Sequence, residues 1–211
     1  MVRTRETLDE SIAHLAAIEP AFAAVIARHG SPEPRNSEPG AHTLLRTIVG
    51  QQVSVAAARS MWAKLETAYG SPPDLAAIAN ASDEDLRLAG ISRQKSGYAR
   101  SLAELVLSGE LDLSALPSDD NQAVALLTRI KGIGRWSAEI YLLFAEGRPD
   151  VWPAGDLAVQ IEVGRLLGLA ERPSEKAIRE IAEAWRPHRG AAAILAWHSY
   201  NRSVKSSGAP V

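Results

Sequence analysis

Apolar residues recur along almost the whole chain at intervals of three and four, the spacing of one helix face, and nowhere alternate as a half-buried strand would. Near the N-terminus Thr7-Leu8-Asp9-Glu10 reads as a capping box ahead of Ile12, Leu15 and Ile18. Pro20 then opens a short helix carrying Phe22, Val25 and Ile26 and ending at Gly30. Residues 31–40, SPEPRNSEPG, are too rich in proline, serine and glutamate to pack and read as a surface linker. Leu44, Leu45, Ile48 and Val49 predict a helix over 41–50, and Val55, Ala58, Met61, Trp62 and Leu65 another that runs up to Gly70. Short helices are expected at 74–80 and 83–89, the second capped by Ser82, and a longer one at 93–108 with Tyr98, Leu102, Leu105 and Val106 inward. Ser118 is the expected cap of the helix after that. Towards the C-terminus the pattern predicts helices from Leu157, over 174–184, and from Pro187 to Arg202, the last with Ala191, Ile194, Leu195 and, at the same spacing, Trp197 as the inward candidates and a frayed tail from Ser203.

The pattern is interrupted most informatively within residues 126–144, LLTRIKGIGRWSAEIYLLF. Ala123, Leu126, Leu127 and Ile130 form one helical face and Trp136, Ile140, Leu143 and Phe144 another, so two helices meet at Lys131-Gly132-Ile133-Gly134. Glycine at 132 and 134 allows positive φ angles and a close approach from outside, while Ile133 can anchor the turn. Amides at a helix start lack intrahelical partners and sit at the positive end of the dipole, so they attract anions such as phosphate. Arg129, Lys131 and Arg135 lie between Asn121 and Ala138 with no carboxylate among them. A helix-hairpin-helix that grips a nucleic-acid backbone fits these facts, and so does a plain αα-hairpin with a glycine C-cap.

Composition narrows the alternatives. Hydrophobic residues make up 46% of the 211 but aromatics only 5%, which with the many alanines and leucines favours an all-α fold. Cysteine is absent, which excludes disulfides, thiolate zinc sites and cysteine-bound iron-sulfur clusters. His14, His29, His42, His188 and His198 show no ligand spacing, so solvated or capping roles are expected of them. No apolar stretch reaches ~18 residues and none follows a basic N-terminal segment, so neither a membrane span nor a signal peptide is expected, and the protein should work in the cytoplasm or nucleoid. A formal net charge of −2 means that attraction to DNA must come from a local patch.

Beyond the hairpin comes DVWPAGD (150–156), with Asp156 where a new apolar helix begins. The hairpin, this spacing and the Pro-x-Gly-Asp helix start resemble the helix-hairpin-helix DNA glycosylase superfamily, and within it the DNA-3-methyladenine glycosylase II type. The resemblance covers roughly residues 41 to 202 and takes in IVGQQVS (48–54), GISRQK (90–95) and WRPHR (185–189) through Trp197. It implies two helical lobes flanking a cleft, one formed by 1–48 with 157–211 and the other by 49–156. It implies a monomer that binds double-stranded DNA carrying alkylated bases, rotates the damaged nucleotide out and hydrolyses its N-glycosidic bond, with no small-molecule cofactor.

Residue by residue, the resemblance makes Asp156 the carboxylate that stabilises the developing oxocarbenium charge or orients water, with Asp150 the less favoured choice. Spacing alone would make Asp156 an ordinary N-cap. Trp136, Trp197, Tyr141 and Trp152 become candidate walls of a pocket for a cationic base, although an aromatic at helical spacing is more often core. Lys131, Gly132, Ile133, Gly134 and Arg135 would meet the DNA backbone. Gln52, with Gln51 beside it, would plug the gap left by the extruded nucleotide, while composition alone reads a polar turn. Bifunctional relatives carry a Schiff-base lysine where this chain has Trp136, which implies base removal without strand cleavage. Family hairpins often hold a monovalent cation, Na or K, through main-chain oxygens, here those of Thr128, Ile130 and Ile133. Two other readings remain: a non-catalytic binder of DNA structure, and a glycosylase for another damaged base such as hypoxanthine or ethenoadenine.

Overall fold

The many helix caps set the architecture before any tertiary contact does. In the structure, a computed structural model describing residues 4–207, every regular element among the described residues is helical. Contacts divide the chain into one unit of Met1–Asn36 with Leu142–Val211 and another of Ser37–Tyr141. The sequence placed these boundaries at 48/49 and 156/157 instead. Residues 41–48 fall within Ser37–Tyr141 because the helix they form packs on the helices over 93–107 and 55–69.

In the first unit α1 (Arg5–Ile18) and α2 (Pro20–His29) pack on each other and on α12 (Arg189–Ser207). The α1 cap is Thr4, with Thr7 completing the capping box, rather than a box that begins at Thr7: Leu8 is fully buried and the first turn must precede it. Ala191 to Ala196 are all buried, not only the face of Ala191, Ile194 and Leu195, because α12 is contacted by α1, α2 and α10 (Leu157–Leu166). The alanines let three neighbours approach one helix axis. Before α12, α11 (Glu175–Ile181) leads into a 3₁₀ turn, Ala182–Trp185, so the last helix begins two residues after Pro187. Trp185 packs edge-on against Phe22 at 4.9 Å and Trp152 at 5.5 Å. The helix continues to Ser207, past the expected stop at Arg202; the rest of the expected frayed tail lies outside the described residues.

The second unit holds α3 (Ala41–Gly50), α4 (Val55–Tyr69), α5 (Leu75–Asn80), α6 (Asp83–Leu88), α7 (Arg93–Leu107) and α8 (Asp120–Leu127), and takes in α9 (Arg135–Phe144) as far as Tyr141. Its centre is α7, which packs on α3, α5 and α6 with Ala99, Leu102 and Ala103 buried. Burying a leucine of this kind stabilises the fold by about 1.5–3 kcal/mol. Ser82 caps α6 as expected, whereas α8 is capped by Asp119 instead of Ser118, its carboxylate accepting from the Gln122 amide at 2.8 Å. A charged oxygen is the better partner for an open helix start.

Candidate DNA-backbone turn and carboxylate site

The α8–α9 turn is anchored by Ile130 and Ile133, both buried, with the Ile133 amide donating to the Ile130 carbonyl at 3.0 Å. Of the two glycines only Gly132 has a positive φ, 82°, and a Cβ there would lie 2.2 Å from Cδ2 of Tyr98. The fold itself therefore demands glycine at 132. Gly134 differs: nothing lies within 4 Å of its imaginary Cβ, and its φ is ordinary. Packing within the fold therefore does not require glycine at 134. Neither glycine amide is hydrogen-bonded among the described residues, whereas the Lys131 amide is used internally, donating to Ser101 Oγ at 3.2 Å.

The three cations of this turn are not equivalent. Arg129 pairs with Glu110, and Arg135 donates to Glu139 Oε1 and Asn121 Oδ1, each at 3.0 Å. Only the Lys131 side chain, exposed and without a protein partner among the described residues, is wholly available to an anion. The sequence reading missed both carboxylates because they lie outside the 121–138 window. For a cation, the carbonyls of Thr128, Ile130 and Ile133 fall within six residues of a single turn, and that of Ile130 already accepts one amide. One lone pair of the Ile130 carbonyl is left over for another partner.

In α9 Ala138, Tyr141, Leu142 and Leu143 are buried, so of the Trp136, Ile140, Leu143, Phe144 face read from the sequence only Leu143 is fully inside, Ile140 and Phe144 being half-buried and Trp136 open. Trp136 is 46% exposed and thus not core filler. It borders a hollow of about 930 Å³ together with Gln51, Gln52, Lys95, Tyr98 and Gly132. At its rim the α3–α4 loop has Gln52 at φ 54°, the one non-glycine positive φ among the described residues. Gln51 is not aimed outward with it: its Nε2 donates to the Gly132 carbonyl at 2.8 Å. Lys95 donates from Nζ to the Val49 carbonyl at 2.7 Å, and burial lowers its pKa. Arg100, on the same helix, binds the Ala81 carbonyl and Asp83.

The carboxylate site lies in the other unit. Asp156 is the N-cap of α10; its Oδ1 accepts from the Val159 amide at 3.0 Å and from the indole Nε1 of Trp197, also at 3.0 Å. Gln160 braces the same loop by donating to the Ala154 carbonyl at 2.7 Å. Trp197 is half-buried, and its ring lies 5.7 Å from that of Phe144, an aromatic neighbour 53 residues away that no local pattern announces. Asp150 is committed elsewhere, pairing with Arg189 at 2.8 Å and Arg186 at 3.1 Å. The WRPHR segment is thus a clamp on the loop that leads to Asp156. Two of the four expected aromatic walls turn out to be interior: Trp152 and Tyr141 are each 3% exposed, Tyr141 accepting from the Gly40 amide at 2.8 Å. Burial leaves neither an open ring face.

A fused pattern of this kind has counterparts. The family model of the HhH-GPD superfamily base excision DNA repair proteins matches residues 45–187. The DNA-3-methyladenine glycosylase 1 of Schizosaccharomyces pombe is 29% identical over 199 residues, covering 90% of this chain and 87% of that protein. Escherichia coli DNA-3-methyladenine glycosylase 2 is 30% identical over 165 residues, 74% of this chain but 56% of its own length. A Bacillus subtilis relative is likewise spanned over 57% of its length. Among solved structures, a DNA-3-methyladenine glycosidase from Bacillus halodurans superposes with a TM-score of 0.84 at 29% identity, over 92% of this chain and 91% of that one. The S. pombe enzyme in complex with abasic DNA gives a TM-score of 0.77 at 27% identity, over 92% and 96%.

Proposed function

The chain belongs to the HhH-GPD superfamily of base excision DNA repair proteins, and on that premise we propose that it is a monofunctional DNA glycosylase releasing alkylated purines of the 3-methyladenine and 7-methylguanine type. The observation that carries this reading is Asp156, a carboxylate fixed at a helix start by a backbone amide and by the indole of Trp197. The names of relatives from fission yeast and E. coli support the substrate class.

In this reading the Gly132–Gly134 turn and Lys131 hold phosphates of the damaged strand, a contact that fixes position without reading bases. The lesion leaves the stack, a cost that a poorly paired alkylated base lowers. Alkylation puts positive charge on the base, so the departing purine takes the glycosidic electron pair and leaves neutral. The sugar develops oxocarbenium character, which the Asp156 carboxylate stabilises until water adds at C1′ and loses its proton, giving an abasic site. Trp197 does two things: its N–H orients Asp156, and its ring offers an electron-rich surface to the cationic base. Trp136, exposed and without an amine, supplies no nucleophile for strand cleavage. We place its work on DNA in the cytoplasm or nucleoid, as a monomer; no helix among the described residues is long and apolar enough to cross a membrane.

Asp156→Asn tests this directly, because asparagine also caps helices and the fold should persist. Release of 3-methyladenine from methylated duplex should fall at least a thousandfold while affinity for abasic DNA stays within about threefold. Wild-type release rates would remove Asp156 from the chemistry.

A further inference from the structure

The α3–α4 loop, Gln51 to Ser54, is held at both flanks and left open at its apex. At the α3 end the Lys95 ammonium, half-buried, reaches 46 residues back to the Val49 carbonyl in the last helical turn. One residue before the apex, the Gln51 amide reaches 81 residues forward to the Gly132 carbonyl. On the far side Ser54 caps α4 by accepting from the Ala57 amide at 3.2 Å. Between these ties Gln52 stands exposed at φ 54°, with no side-chain hydrogen bond among the described residues. A left-handed glutamine is a strained choice, and strain of this kind persists only where its surroundings over-determine the backbone.

The acceptor of the Gln51 bond is informative. Gly132 is the residue at which the Tyr98 ring leaves no room for a side chain, and Tyr98 accepts at its hydroxyl from Gln94 Nε2 at 2.6 Å. The phosphate-facing turn and the loop carrying Gln52 are therefore one braced block within this unit.

Resting on the proposed function, we infer that Gln51 and Lys95 are positioning residues that hold Gln52 as a pre-formed wedge and couple the grip on the backbone to extrusion of the lesion. Gln51 takes no direct part as a plug. Its amide is spent on the hairpin, and its contribution is to stop the loop from relaxing into a turn that would retract Gln52. Pre-organisation of this sort lowers the cost of opening the duplex at the moment of contact and adds little to affinity for a site already open.

The test uses Gln51→Leu, which keeps the length and loses the donor, and the pair Lys95→Met and Lys95→Arg. Single-turnover release is measured from a duplex with one 7-methylguanine opposite cytosine, and from the same strand with tetrahydrofuran opposite the lesion, where no partner resists extrusion. A 2-aminopurine beside the lesion reports unstacking independently of bond cleavage. Gln51→Leu and Lys95→Met should slow the paired substrate at least twentyfold and the unopposed one less than threefold, with loss of the 2-aminopurine rise and abasic-duplex affinity within threefold. Lys95→Arg, which retains a donor, should restore most of the rate. Equal slowing on both substrates, or an unchanged unstacking signal, overturns the inference by making the bonds merely structural or irrelevant. Wild-type protein that raises the 2-aminopurine signal yet releases no base refutes the glycosylase reading while leaving the brace intact.

Discussion

Replacing each hairpin glycine by alanine separates what the fold needs from what the DNA needs. At 132 the new Cβ would stand 2.2 Å from Tyr98 Cδ2 at a φ of 82°. Leaving glycine at a left-handed position costs about 1–2 kcal/mol, and forcing a methyl into a filled site typically adds about 1–3 kcal/mol. Gly132→Ala should therefore destabilise by about 2–5 kcal/mol, which for a chain of this size lowers the melting temperature by roughly 5–15 °C. At 134 the methyl meets nothing within 4 Å, so Gly134→Ala should cost no more than about 1 kcal/mol, the difference between glycine and alanine at a helix start. The same methyl projects where a phosphate backbone would approach, and affinity for an abasic duplex should fall tenfold or more. Thermal unfolding and fluorescence anisotropy at fixed salt read the two quantities. A Gly132→Ala protein that melts with the wild type would refute the packing argument; a Gly134→Ala protein that binds DNA normally would refute the docking one.

Three further outcomes follow from the same geometry. Trp197→Phe keeps a ring and removes the N–H to Asp156; hydrogen bonds to charged groups contribute about 1.5–3 kcal/mol, so single-turnover release per folded molecule should drop between about tenfold and a hundredfold, with the melting temperature lowered by several degrees. Asp150→Asn breaks a mostly buried pair with Arg189 and should destabilise by about 3 kcal/mol in urea unfolding, while the excision rate per folded molecule changes less than tenfold. His188 packs against His14 at 4.6 Å, and burial, then the neighbouring His14, lowers its pKa, with Asp150 opposing. The unfolded chain then binds more protons on acidification through the ordinary histidine range near about 6.5, so stability should fall as pH drops from 7 to 5.5. His188→Gln should flatten that slope, and an unchanged slope would assign the acid sensitivity elsewhere.

Helix content, the hairpin and the family were legible because each rests on local chemistry. Periodicity marks a helix whatever it packs against, and the GxG turn and the Pro-x-Gly-Asp start are contiguous strings. The misreadings were of partners. Arg135 looked like a free cation until Glu139, one turn along, took it, and nothing local to Lys95 shows that its ammonium ends on Val49. Gln51 and Gln52 are neighbours of one residue type, yet one is tied to the hairpin and the other left open, a difference of backbone angle that no composition encodes.

Short-range order thus carried the class of fold, the elbow and the acidic residue at the start of α10, since capping, glycine conformations and helical spacing act within a few residues of chain. Which tryptophan is interior and which is open, and which cation and which glutamine remain available, emerged only once distant segments were packed. Those assignments depend on hydrogen bonds and ring contacts that span tens of residues, and a side chain's partner at such a distance is set by how helices meet.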